Sequence, residues 1–246
     1  MAEIRVRNLE KSFDGVEAVS GMSFEVDAGE LYGFLGPNGA GKTTTIRILT
    51  GQLRPDAGSV EVNGTDPTVD PIETRRRVGI LPEDGTPPSF FTPREYFEYV
   101  ARIRGLDPDR VAERGESLAD RFGLAGKLDT LSTDLSRGQQ QKAMIVQAFL
   151  HDPDVVFIDE PLANLDPIVQ EQVKTHLDAY VADGNTVFAS THNIDVAEEL
   201  CTRVGIVADG RIVADQPVEG RDGSLLDTFL TTVSDAEPRD VPTIQP

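Results

Sequence analysis

The sequence contains a single cysteine and no long apolar run, and each shortage excludes a class of protein. One cysteine, Cys201, cannot form a disulfide within the chain. Aliphatic runs such as residues 155–158 are far too short to cross a bilayer. Residues 1–7 lack the charged and then apolar pattern of a signal peptide. We therefore expect a cytosolic protein with no membrane span of its own.

The chain also has few positive charges. Its 42 acidic side chains outnumber 23 basic ones, which gives a formal net charge of −19. Such a charge repels nucleic acid, so we expect no nucleic-acid partner. Only five of the basic residues are lysine, and 24 of the acidic ones are aspartate. This balance resembles that of proteins adapted to high intracellular salt and predicts a halophilic source, with ordinary mesophilic acidity as the alternative.

What the sequence does contain is a phosphate-binding loop. Residues 36–44 match the pattern G-x-x-x-x-G-K-[ST], between an apolar run that predicts a strand (31–35) and a helical pattern (45–50). The glycines let backbone N–H groups point at an anion, and the helix N-terminus adds about half a positive charge. The predicted nucleotide-binding residues of this loop are Gly36, Pro37, Asn38, Gly39, Ala40, Gly41, Lys42, Thr43 and Thr44.

Two side chains of the loop have separate expected roles. Lys42 can reach the outer phosphates as a point charge, and the Thr43 hydroxyl is placed to bind Mg²⁺. A glycine-rich turn without a ligand is the alternative. Because a predicted strand and helix flank the loop, the sequence favours binding of a nucleoside triphosphate.

The remaining pattern predicts an α/β fold. Alternating residues on both sides of Asp14-Gly15, and again at 59–64, predict a group of short strands. Apolar runs that follow helical stretches predict a parallel sheet. Its buried strands are expected at 31–35, 78–81, 155–158 and 186–191.

A helical insert, at about 83–150, interrupts the sheet pattern. Thr92 begins a capping box with proline at the first helical position. The helix that follows carries apolar residues at the spacing of a buried face, namely Tyr96, Tyr99, Val100 and Ile103. We predict a single domain over 1–232 and a mobile tail over 233–246, where periodicity is lost.

An acidic pair, Asp159 and Glu160, follows the apolar run at 155–158. Acids at the carboxyl end of a buried strand lie at the edge where α/β sheets bind ligands. There Asp159 can hold Mg²⁺ and Glu160 can polarise an attacking water. A helix N-cap is the alternative for such a pair. His192 comes directly after the predicted strand at 186–191.

After the phosphate loop and the acidic pair, a third motif is Leu-Ser-Arg-Gly-Gln at 135–139, which begins a predicted helix. Together with the loop and the acidic pair, it makes the chain resemble the ATPase subunits of ATP-binding cassette (ABC) transporters, over about 4–214. The sequence around the loop is most similar to that of subunits of drug, lipid or polysaccharide exporters. The resemblance implies a phosphate-loop NTPase (RecA-like) α/β core with an antiparallel β subdomain and an inserted α-helical subdomain. It also implies ATP and Mg²⁺ as ligands.

The resemblance assigns further residues to the site. Ser136 and Gly138, with Gln139 beside them, would contact the γ-phosphate of ATP bound by a second chain. His192 would touch the γ-phosphate within its own chain. Phe13 would stack on the base, although a lone aromatic is more often a core residue.

Further positions belong to the same resemblance, and some depart from it. Asp166 fits a loop that crosses the dimer, in which Asn164 stands where the family usually has glycine. Arg137 also replaces a common glycine. Glu83 stands where the family has a glutamine that binds Mg²⁺. We keep Glu83 as a predicted metal ligand, with a negative charge added beside the phosphates.

The resemblance implies a subunit that works in pairs. Two copies, or one copy and a homologous ATPase subunit, would sandwich two ATP molecules and drive a separate membrane permease. Residues 86–99 are the expected docking surface, which would hold the protein on the inner face of the membrane. The alternatives are a soluble member of the family, serving iron–sulfur assembly or translation, and a nucleotide-sensing module with little turnover.

Overall fold

Two sheets and the helices that cover them position the predicted site residues. The computed structural model describes residues 2–163, 165–220 and 223–235. The strands are β1 (Ala2–Phe13), β2 (Val16–Asp27), β3 (Leu31–Leu35), β4 (Ala57–Val62), β5 (Val78–Leu81), β6 (Val155–Asp159), β7 (Thr186–Thr191), β8 (Arg203–Ala208) and β9 (Arg211–Pro217). The helices are α1 (Lys42–Leu49), α2 (Pro71–Arg77), α3 (Pro93–Arg104), α4 (Pro108–Arg121), α5 (Arg137–Phe149), α6 (Pro167–Ala182), α7 (Ile194–Leu200) and α8 (Leu225–Asp235).

The smaller sheet is antiparallel, with the strand order β2-β1-β4. Asp14 and Gly15 form the turn between β1 and β2, with φ angles of 48° and 82°. Positive φ at both residues is what a two-residue hairpin with the right-handed twist of its strands requires. Ile4 and Val6 alternate with exposed or half-buried neighbours and are fully buried. The hairpin predicted from alternation is therefore present, with strands longer than predicted.

The larger sheet has six strands in the order β5-β6-β7-β3-β8-β9, and only β9 runs antiparallel to its neighbour. Every residue of β3, β6 and β7 is buried, as in strands covered on both faces. Leu35 at the end of β3 pairs with Thr191 of β7, and Asp159 at the end of β6 pairs with Ser190. The carboxyl ends of β6, β7 and β3 therefore lie side by side, and the segments after them meet at one edge.

The two faces of the larger sheet pack against different layers. On one face, the Phe34 and Phe188 rings lie 5.6 and 5.9 Å from Phe24 of the smaller sheet. Helix α1 contributes Ile46 and Leu49 to the same cluster. The other face packs against helices, including those of the helical segment. Helix α1, which begins at the phosphate loop, is thus fixed in the core.

The helical segment between β5 and β6 consists of α3, α4 and α5. The buried face of α3 contains Phe97, Val100 and Ala101, whereas Tyr99 and Ile103 are 47% and 62% exposed. The predicted buried face of this helix is therefore wrong at Tyr99 and Ile103. Two apolar stripes along α3 have helical spacing, and packing against α4 and α5 selects the one that contains Phe97.

Helix α8 continues past the predicted end of the domain. Residues 233–235, predicted as the start of a mobile tail, form the last turn of α8. Leu225 is buried, and Phe229 and Val233 follow it at intervals of four residues and pack against the same cluster. This spacing carries the helix beyond 232. Residues 236–246 lie outside the described residues, and the tail remains a prediction there.

Candidate nucleotide site

The phosphate loop connects the end of β3 to the start of α1. Gly39 and Gly41 have φ angles of 84° and 100°, in the region that favours glycine. A Cβ at Gly41 would lie 2.3 Å from the carbonyl oxygen of Ala18, so space also requires glycine. Gly41 is the N-cap of α1 and offers no side chain to the amides of the first turn. These amides are the groups with which a helix N-terminus binds an anion.

Lys42 is folded over its own loop. Its Nζ atom donates hydrogen bonds to the carbonyl oxygens of Gly36 at 2.7 Å and Pro37 at 3.1 Å. Burial lowers the pKa of Lys42, while the carboxylates of Glu160 and Asp159 act in the opposite direction. The ammonium therefore lies between the loop backbone and the acidic end of β6.

Asp159 connects the loop to two strands. Thr43 Oγ1 donates to Asp159 Oδ2 at 2.9 Å. Ser190 of β7 donates through its hydroxyl to the other carboxylate oxygen, Oδ1. Asp159 is itself buried. The two predicted Mg²⁺ ligands Thr43 and Asp159 are thus in direct contact.

Glu160 is held by the residues that end β7. Its Oε2 atom accepts from Thr191 Oγ1 at 3.0 Å, and Oε1 accepts from the backbone N–H of His192 at 3.0 Å. With its proton on Nδ1, His192 donates to the same Oε1 at 2.5 Å. Glu160 also has a φ of 57°, a conformation that costs a non-glycine residue about 1 to 2 kcal/mol. Backbone and side chain together fix the direction of this carboxylate.

Lys42, Thr43, Asp159 and Glu160 line one cavity of about 290 Å³ at the carboxyl edge of the sheet, whereas His192 is not among the lining residues. Glu83 and Ala18 contribute to it as well, and burial together with Asp159 and Glu160 raises the pKa of Glu83. Phe13 is not among the lining residues; its ring is 46% exposed and lies 5.4 Å from Lys11 Nζ. The residues that line the cavity are Ala18, Asn38, Gly39, Gly41, Lys42, Thr43, Thr44, Glu83, Asp159 and Glu160.

The other predicted contacts lie elsewhere in the chain. Ser136 is the N-cap of α5: its Oγ accepts from Gln139 N at 3.3 Å, and its own N–H donates to Gln139 Oε1 at 3.0 Å. Neither residue lines the loop cavity, and neither does Gly138. Asp166 is the N-cap of α6 and accepts hydrogen bonds from two amides of its first turn. Asn164 lies outside the described residues.

Comparisons with known proteins identify the family. The family model described as ABC transporter matches residues 19–163. The chain belongs to the ABC transporter family. In this family it is the nucleotide-binding, ATP-hydrolysing subunit, and the predicted phosphate-loop NTPase fold is confirmed.

Individual relatives agree with this assignment. The daunorubicin/doxorubicin resistance ATP-binding protein DrrA of Streptomyces peucetius is 37% identical over 94% of this chain and 68% of its own. The Nod factor export ATP-binding protein I of Burkholderia lata is 36% identical over 87% of this chain and 71% of its own. A solved structure titled as the ATP binding subunit of an ABC transporter is 30% identical over 94% of this chain and 99% of its own, with a TM-score of 0.86.

The sequence alone did not predict a role in the site for two residues of this ABC transporter subunit. Ser190 and Thr191 are the last residues of β7, and their hydroxyls hold Asp159 and Glu160. Only their position in the sequence could have indicated this role. Hydroxyl side chains at the end of a buried strand, directly before His192, have no solvent with which to form hydrogen bonds. The pairing of β7 with β6 was needed to show which carboxylates they reach.

Proposed function

We propose that this subunit hydrolyses ATP at the carboxyl edge of the larger sheet, with Glu160 and His192 as the catalytic residues. The observation that supports this most directly is the contact between these two side chains beside the phosphate-loop cavity. The loop amides and Lys42 would bind the phosphates. Closure on ATP and opening after hydrolysis would then drive transport.

Glu160 is suited to act on the attacking water. Its carboxylate already accepts hydrogen bonds from Thr191 and His192, so its direction is fixed before substrate binds. The side chain is only 11% exposed, which limits competition from bulk water. A positioned general base contributes about 10²- to 10⁴-fold in rate. His192, whose side chain is 57% exposed, can keep its contact with Glu160 while its ring faces the γ-phosphate.

The oxygens beside the loop suit Mg²⁺. Thr43 Oγ1 and Asp159 Oδ2 are 2.9 Å apart, and hydroxyl and carboxylate oxygens are the hard ligands this ion prefers. Within the described ranges, no three His, Cys, Asp or Glu side chains converge as a metal cage. Mg²⁺ in nucleotide sites usually combines one or two protein oxygens with waters and substrate phosphates, and we propose Thr43 and Asp159, with Glu83 nearby, as the protein ligands. When bound, the ion would offset phosphate charge.

We further propose that the subunit works as a pair. Ser136 and Gly138 lie at the exposed or half-buried N-terminus of α5, away from the cavity of their own chain. A helix N-terminus with a serine hydroxyl binds phosphate well. The head-to-tail pair would take the loop, Glu160 and His192 from one chain, and Ser136 and Gly138 from the other.

The helical segment offers a surface for the permease. Phe90 is 73% exposed, and the rings of Phe90, Phe91 and Tyr99 form a chain with centroid distances of 4.8 and 5.3 Å. Adjacent exposed aromatics are typical of protein–protein contacts. No helix in the part of the chain that the structure describes has the length and apolar character needed to span a membrane. We propose that residues 86–99 dock on a membrane permease and so place the subunit at the inner face of the membrane.

The named relatives suggest the kind of transport. One is named for drug resistance and another for Nod factor export. Their names favour the exporter prediction over a soluble subunit without a membrane partner. We propose that the permease exports a drug, lipid or polysaccharide.

The decisive experiment separates hydrolysis from binding. Glu160→Gln keeps the shape of the side chain but removes its basicity, so turnover should fall by at least about hundredfold while ATP binding persists. ATP-dependent dimers of this variant should then be visible by light scattering. Glu113→Gln, an exposed change on α4, is the matched control and should behave as wild type. Undiminished turnover in Glu160→Gln would remove it from the reaction, and monomers at all ATP concentrations would contradict the pair.

A further inference from the structure

Arg137 stands between the two residues proposed to contact the partner's ATP. It is the first residue of α5, directly after Ser136 and before Gly138. Its side chain is 72% exposed, and its guanidinium Nη2 lies 4.0 Å from Asp84 Oδ1. A long cation is therefore present where the turn itself supplies only a hydroxyl and backbone amides.

The ion pair with Asp84 is easily exchanged. The Asp84 side chain is 89% exposed, and the 4.0 Å separation is at the limit for a salt bridge. Exposed pairs of this kind contribute about 0 to 1 kcal/mol, so the free-energy cost of leaving Asp84 is small. Asp84 also follows Glu83, which lines the loop cavity. Arg137 thus rests beside the nucleotide cavity of its own chain but is free to turn outward.

The lining of the cavity carries more negative than positive charge. Glu83, Asp159 and Glu160 line it with carboxylates, and Lys42 provides its ammonium. A nucleoside triphosphate adds more negative charge to this group. A guanidinium is the side chain best suited to phosphate in a closed interface, because its N–H groups form a fork and it is weakly hydrated.

We propose that Arg137 of one chain binds the γ-phosphate of the ATP held by the second copy, exchanging Asp84 for that phosphate as the pair closes. The inference rests on the proposed pairing of two subunits. It assigns a positive charge to the turn in place of the usual glycine, and this charge compensates for the additional carboxylate of Glu83. Arg137 then contributes to closure only when a γ-phosphate is present.

The test measures ATP-dependent dimers in the Glu160→Gln background. Adding Arg137→Gln should weaken the dimer on the order of tenfold to hundredfold, the range for a hydrogen bond to a charged group. Arg137→Lys keeps the charge but not the fork and should fall in between. ATP affinity of the dilute monomer should be unchanged. Arg102→Gln is the matched control, since Arg102 is also an exposed helical arginine, 3.5 Å from Glu98.

Asp84→Asn distinguishes the proposed exchange of Asp84 for phosphate from a purely structural role of the Arg137–Asp84 ion pair. Removing the competing carboxylate should leave the dimer unchanged or strengthen it a few-fold. Dimers weakened equally by Asp84→Asn and Arg137→Gln would overturn the inference, because the ion pair itself would then be what matters. Equal dimers with and without Arg137→Gln would also overturn it and leave the pairing intact. Absence of dimers in Glu160→Gln alone would instead contradict the pairing, and this inference with it.

Discussion

The carboxyl edge of the larger sheet and the N-terminus of α5 carry the two halves of the proposed ATP site, but they hold their side chains differently. At the edge, Glu160 is buried and bonded to residues of a neighbouring strand end. At α5, Ser136 is exposed, and its partner Gln139 belongs to the same helical turn. The first half is built from three segments that are distant in sequence, and the second from a single local cap.

This difference determines where the effects of substitution should appear. The edge lies within one chain, so changes there should alter nucleotide binding at any protein concentration. The α5 turn would act on a second chain, so its effects should depend on how much dimer is present. A substitution in one half can therefore be compared with a substitution in the other.

The largest effect is expected for Lys42→Ala. Among the cavity-lining residues that the structure describes, Lys42 alone carries a basic group, and its bonds to a phosphate would be charge-assisted. We expect ATP affinity to fall by about hundredfold, measured by calorimetry on dilute protein. Lys127→Ala, at an exposed lysine in the helical segment, should bind as wild type. Undiminished affinity in Lys42→Ala would refute the phosphate-loop assignment.

Much of the edge could be predicted from the sequence because each of its motifs lies within a few consecutive residues. The loop pattern, the strand before Asp159 and the strand before His192 are each visible in a few residues. Parallel strands direct their carboxyl ends to one edge, which brings such segments together whatever their separation along the chain. The adjacency of β6, β7 and β3 then turns proximity into contacts.

Other features could not be predicted, because they depend on which surfaces are covered. Tyr99 and Phe97 both have helical spacing on α3, yet only Phe97 faces α4 and α5. Every residue of β7 is buried, so periodicity gives no hint that Ser190 and Thr191 bind the two acids. Val233 continues a spacing that becomes visible only once its contacts with the core are known.

Glu83→Gln tests how far the edge extends. Glu83 lines the cavity but is exposed, so its charge should act through partly screened interactions. We expect the Mg²⁺ concentration for half-maximal turnover to rise by about threefold to tenfold, since one negative charge is lost. Glu113→Gln, which removes an exposed carboxylate of α4 outside the loop cavity, is the control. An unchanged Mg²⁺ dependence would remove Glu83 from the surroundings of the metal.

A smaller effect is expected from paired cap substitutions. Thr92 of α3 and Ser136 of α5 both cap their helices through capping boxes. Replacing either by alanine should cost about 1 kcal/mol of folding free energy, or about 2 to 4 °C in Tm. Only Ser136→Ala should also weaken ATP-dependent dimers in the Glu160→Gln background. Equal loss of dimer in both variants would show that Ser136 acts only as a helix N-cap.

Salt is expected to change the free energy of unfolding least at each residue. Its effect acts over the whole surface. Raising KCl from about 0.1 to 1 M shortens the screening length from about 10 to 3 Å. Screening weakens surface ion pairs such as Arg94–Asp129, but each is worth only about 0 to 1 kcal/mol. It also relieves the repulsion of a net charge of −19, which acts across the whole chain. We therefore predict that the thermal midpoint rises as KCl is raised, because relief of this repulsion outweighs the loss of the surface ion pairs. Equal midpoints at both salt concentrations would contradict the halophilic prediction.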